Sequence, residues 1–246
     1  MINDNNKDLL KSMCCIALEM PDIILLNYCE KMDKNSQYVL SMFFDAFKTI
    51  EIVCYSFKTI GVSQTAMLLR QLLSQTAIVT ILVNHPDLLN KYIEHYRFRL
   101  ETECLHKHDQ IDAIAEKFHI EANKSALIFL DYGWIPFDNL KERGEDGMIR
   151  YAGFDDILSW KKKYLDKFSH ASFTTLDSIG ENKDFPILNI FIRIASKLFD
   201  HLCVAFHNFT KFSYEFNGKD LFNDEFIPLY LNLSSFETEN KGDDNE

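Results

Sequence analysis

The chain has 246 residues, 47% of them hydrophobic, and a formal charge of -11. Such a chain can bury a sizeable core, and its acidity repels phosphate backbones, which argues against broad DNA or RNA binding. With 21 Phe but only 8 Gly and 5 Pro, it is expected to form helices around an aromatic-rich core, not many short strands.

The polar start, Met1-Ile-Asn-Asp-Asn-Asn-Lys7, does not read as a signal peptide. Residues 7–20 have amphipathic spacing, and Pro21 is placed to open a second helix reaching about residue 32. Asn35 or Ser36 can cap a long helix to residue 60, which Gly61 would stop. Ser63 can cap the next helix, the most apolar of the chain. Pro86 then opens a charged helix over 87–106, and a further helix or pair covers 109–131. Segment 133–153 collects Gly133, Pro136, Gly144, Gly147 and Gly153, which predicts an irregular Gly-rich loop, either a lid or an edge of a pocket. A helix over 155–170, a polar turn at 177–184 and a last long helix from Pro186 to about residue 216 complete the pattern. No internal repeat interrupts it. The expectation is an all-α fold: one multi-helix bundle over 1–236, followed by an acidic disordered tail at 237–246.

Six cysteines occur without a C-x-x-C pair, and all but Cys104 lie in apolar runs. They read as reduced core thiols of a cytoplasmic protein. The run 66–83 is apolar but broken by Arg70, Gln71 and Gln75, so no membrane span is expected.

Arg70 is the most informative residue. A cation among leucines is costly unless something pairs with it. One reading gives it an acid from a neighbouring helix, with Asp45 and Glu51 the best placed. The other turns it toward a pocket, where it would bind an anion or orient a histidine. In the last helix Asn189, Arg193, Lys197, Asp200, His207 and Lys211 share one side, which reads as a solvated face opposite a Phe-rich one. Lys161, Lys162 and Lys163 read as a solvated run, with His170 exposed near a helix end. The pairs Glu103/His106 and Glu116/His119 have di-metal spacing within each pair. Thirteen residues apart, however, they face different ways on a continuous helix. No metal and no cofactor is therefore expected.

Three stretches carry a resemblance: Leu68-Leu-Arg-Gln-Leu-Leu-Ser74, Tyr132-Gly-Trp134 and Tyr164-Leu-Asp-Lys-Phe-Ser-His-Ala-Ser172. With Tyr92-Ile-Glu-His-Tyr96 between them, they resemble a widespread bacterial family of all-helical proteins that is itself HEPN-like. Over roughly 35–210 the resemblance implies a pocket of Arg70, Tyr96, Trp134, Ser169 and His170. It also implies an acid after the Leu-Leu pair, where this chain has Ser74, so Asp166 or Asp45 would have to replace it. HEPN ribonucleases place an arginine and a histidine on one helix with four to six residues between them, whereas here only Arg99 and His106 have that spacing, with six residues between, two of them glutamates. The resulting expectation is a non-catalytic interaction or sensing module of a bacterial defence or stress system, with a protein partner or a homodimer. The alternative is a metal-independent ribonuclease in which Arg70 holds phosphate and His170 moves the proton.

Overall fold

The computed structural model describes residues 4–59, 61–103, 132–137, 144–169, 184–212, 215–216 and 219–220. It is an all-α bundle, as the composition predicts, with one two-residue hairpin among the described residues. The chain divides into two compact units: Met1–Thr76 with Trp160–Glu246, and Ala77–Ser159.

In the first unit, helices α1 (Asp4–Asn27), α2 (Lys34–Thr59) and α8 (Asp184–Thr210) pack on one another. Pro21 lies inside α1 and does not divide it. An internal proline costs about 3 kcal/mol through its missing N–H and ring clash. Met13, Ile16, Met20 and Ile24 are buried on both sides of Pro21. At about 1.5–3 kcal/mol each, their burial outweighs the break. The cap of α2 is Asp33, not Asn35 or Ser36. Its Oδ1 accepts from the backbone N–H of Asn35 and Ser36 at 2.9 and 3.1 Å, and Ser36 Oγ donates to Oδ2 at 2.6 Å. These bonds, Ser36's first, lower the Asp33 pKa.

The core is aromatic, as expected. Phe43, Phe47, Phe199 and Phe206 are fully buried, and the Phe206 ring meets Phe43 at 5.1 Å and Phe47 at 5.9 Å, both edge-on. Helix α8 stops at Thr210, short of the expected 216. Lys211 takes a left-handed φ of 60°, the His207 ring Nδ1 lies 2.8 Å from Phe212 O, and Glu215–Phe216 pairs antiparallel with Lys219–Asp220. The α8 face read as solvated is half-buried at Asn189, Arg193, Lys197 and Asp200, because α1 and α2 pack on this helix. Asn6 Nδ2, for example, donates to Asn189 Oδ1 at 2.8 Å.

Helix α3 (Val62–Asn84) begins in the first unit and ends in the second. The second unit continues with a 3-10 turn (Pro86–Leu88), α4 (Leu89–Glu103), a turn at 132–137 and α5 (Glu145–Tyr151). Of the expected irregular segment, the described residues form a turn and a two-turn helix, and 138–143 lie outside the described residues. That helix ends in a Schellman motif, with Phe154 N–H donating to Ile149 O at 3.1 Å and Gly153 N–H to Arg150 O at 2.8 Å. Gly153 supplies the required positive φ of 82°. Helix α6 (Asp155–Trp160) runs into a π-helical turn (Lys161–Leu165) and then α7 (Asp166–Ser169).

Candidate functional site

Arg70 stands on α3 between Leu69, Leu72 and Leu73, which are all fully buried. Its own side chain keeps 28% exposure, so the arginine lies at the rim of the apolar core and not in its centre. Its acid is Asp166. The Arg70 Nε to Asp166 Oδ1 distance is 3.5 Å, an ion pair longer than a good hydrogen bond. The two acids expected first have other roles. Glu51 pairs with Lys48 at 3.0 Å, and the Asp45 side chain is exposed while its backbone carbonyl accepts from Thr49 Oγ1.

A second cation completes the cluster. Lys161 Nζ lies 3.3 Å from Asp166 Oδ2, and its side chain is only 6% exposed. The expectation of a solvated lysine run therefore fails for Lys161, whereas Lys162 and Lys163 are exposed. The cause is the π turn. Residues five apart on an α-helix are about 140° apart, facing different ways. A π turn hydrogen-bonds i to i+5 and stacks them. Here the Asp166 N–H donates to Lys161 O, closing that wider turn and placing the ammonium over the carboxylate. Reading the sequence at the α-helical period hides this contact. The only sequence signal for it was a carboxylate five residues from a lysine.

The remaining pocket residues lie as follows. Trp134 is buried in the second unit with its ring edge-on to Tyr92, 5.0 Å between centroids. Tyr96, on α4 in that unit, is exposed. Ser169 ends α7, and His170 lies outside the described residues, as do His106, Glu116 and His119. Among the described residues, no group of three or more His, Cys, Asp or Glu side chains is arranged to hold a metal ion.

The reduced-core reading of the cysteines also needs correction. Cys54 and Cys203 are buried, Cys14 is half-buried, and Cys15 and Cys29 are exposed. The apolar runs of α1 wrap past the core-facing side, so neighbouring cysteines fall on different faces.

Further polar groups are withdrawn from solvent without a hydrogen-bond partner among the described residues: Gln75 Oε1, Thr76 Oγ1 and Thr80 Oγ1 on α3, and Asp200 Oδ1 on α8. Burial raises the Asp200 pKa to about 8 against the opposing charge of Lys197. Burial, and then Lys197, lowers that of His201 to about 4.

Fold and site together define an all-α bundle with a half-buried Arg–Asp–Lys cluster at a π-helical turn. Compared with models of known protein families, with curated proteins and with solved structures, the chain matches none.

Proposed function

We propose that this chain is a non-catalytic interaction or sensing module of HEPN-like type, acting in the cytoplasm of a bacterium in a defence or stress system. The observation that carries the non-catalytic reading is the state of Arg70. An arginine that stabilises phosphate in a transition state needs its donors aimed at the substrate. The Arg70 guanidinium is instead engaged by Asp166, which also holds Lys161. The net charge of -11 works in the same direction, against capture of RNA.

The interaction half draws on the α1–α2 hairpin. Leu18, Leu25 and Leu26 on α1 and Ile52 and Tyr55 on α2 are large, apolar and exposed, with Leu26 at 80%. Large apolar side chains exposed on two packed helices favour a protein partner, a second copy of the chain included. By length and composition α3 would also suit a membrane span. The full burial of Ala66, Leu69, Leu72, Leu73 and Ala77 supports the core of a bundle instead.

Purified protein incubated with tRNA and total RNA, beside His170→Ala, tests the reading. No cleavage is expected from either protein. Cleavage that disappears in the variant would overturn it in favour of a ribonuclease using Arg70 and His170.

A further inference from the structure

The α1–α2 hairpin holds four of the chain's six cysteines or borders on them: Cys14 and Cys15 on α1, Cys29 just beyond it and Cys54 on α2. Its register is set beside the turn, where Gln37 Nε2 donates to Cys29 O at 2.9 Å and to Met32 O at 3.1 Å. Both helices rise equally per residue, so extending this antiparallel register away from the turn brings position 54 level with position 14. The side chains agree with the register: α1 and α2 pack on each other, and the Cys14 side chain is near enough to Cys54 to raise its pKa, by its charge and as a hydrogen-bonding neighbour. Both are reduced, Cys54 buried and Cys14 half-buried.

We propose that Cys14 and Cys54 are an oxidisable dithiol that a hydroperoxide converts into a disulfide between α1 and α2. This goes beyond the function proposed above and does not depend on it. Access assigns the roles. Cys14 reaches solvent, so its thiolate attacks a peroxide oxygen. An S–O bond forms, the O–O bond breaks, and the departing oxygen takes a proton to leave as water or an alcohol. The sulfenic acid so formed lies against Cys54. The Cys54 sulfur then attacks the Cys14 sulfur, the S–S bond forms, the S–O bond breaks, and the departing hydroxide leaves as water with the Cys54 proton. Two thiols lose two electrons and the hydroperoxide gains them.

The surroundings of Cys54 set the pace. Burial first, and then the neighbouring Cys14 thiol, push its pKa up, so Cys54 stays protonated and does not react first. The second step is accordingly the slower one. Cys15 follows Cys14 directly and is exposed. It lies about 100° further round the helix and can meet peroxide without closing the bridge.

The test uses the reduced full chain treated with one equivalent of hydrogen peroxide. Two of the six thiols should be lost in a product that runs as a single chain under non-reducing denaturing conditions, with a mass about 2 Da lower. Peptide mapping should join Cys14 to Cys54, and dithiothreitol should reverse the change. Cys54→Ala should stop at a Cys14 sulfenic acid that a sulfenic-acid-specific label captures, while Cys15→Ser should bridge as the parent does. Should Cys54→Ala not fold, the peptide map in the Cys15→Ser background decides alone. A bridge through Cys15 or Cys29, a bridge between two chains, or oxidation of Cys14 to sulfinic acid without any bridge would overturn the proposal.

Discussion

Replacing Asp200 by Asn should change how the stability of this protein depends on pH. The Asp200 Oδ1 atom is withdrawn from solvent, and burial carries its pKa from 3.8 up to about 8. The adjacent His201 moves the other way, from 6.5 down to about 4. Between those low values and about pH 6.5, the folded protein keeps an Asp200 proton that the unfolded chain has lost, so this group makes stability fall as pH rises. Over the same window the unfolded chain binds a His201 proton that the fold refuses, which makes stability rise. The two slopes cancel. Above about pH 6.5 only Asp200 still acts, and each pH unit removes about 1.4 kcal/mol until its folded pKa is passed. The net loss from pH 6.5 to 8 is therefore about 2 kcal/mol. Asn has no proton to lose, so Asp200→Asn should show no such decline and should be more stable than the parent at pH 8. Urea unfolding followed by helical circular dichroism at pH 5, 6.5 and 8 measures all of this. A parent protein equally stable at pH 6.5 and 8 would refute the reasoning, and a variant that retained the slope would place it on another group.

Two further outcomes follow from the geometry. Asp166→Asn removes the charge holding both cations and leaves the Lys161 ammonium buried against an amide, at a cost of about 2–4 kcal/mol. Arg70→Ala leaves Asp166 its lysine and empties a rim position, so its cost is nearer 1 kcal/mol; denaturant titration showing the reverse order would contradict the assignment of Lys161 as the buried partner. Gly153→Ala meets no atom within 4 Å but must hold a φ of 82°, so it should lower stability by about 1 kcal/mol through backbone strain alone, read as a lower Tm.

Much of the fold was legible because it is local. The 3.6-residue spacing of Met13, Ile16, Met20 and Ile24, or of Phe191, Leu198, Phe199, Leu202 and Phe206, is written in neighbouring residues, and few glycines or prolines interrupt it. The helix ends were less legible. Asp33 took the cap of α2 from Asn35 and Ser36 because its carboxylate can accept from two N–H groups at once. The half-buried face of α8 was misread because polar side chains look alike in sequence whether water or another helix covers them.

The candidate site divides along the same line. By itself the sequence determined an all-helical chain with an aromatic core, and an Arg70 whose charge, set among leucines, required an acid from elsewhere. Which acid was a question of tertiary structure, since Arg70 and Asp166 lie 96 positions apart and no periodicity links them. The second cation was hidden for a subtler reason. One turn widened from i+4 to i+5 hydrogen bonding moves Lys161 onto Asp166. Every face drawn with an ideal helix beyond that turn is rotated from where the folded chain puts it.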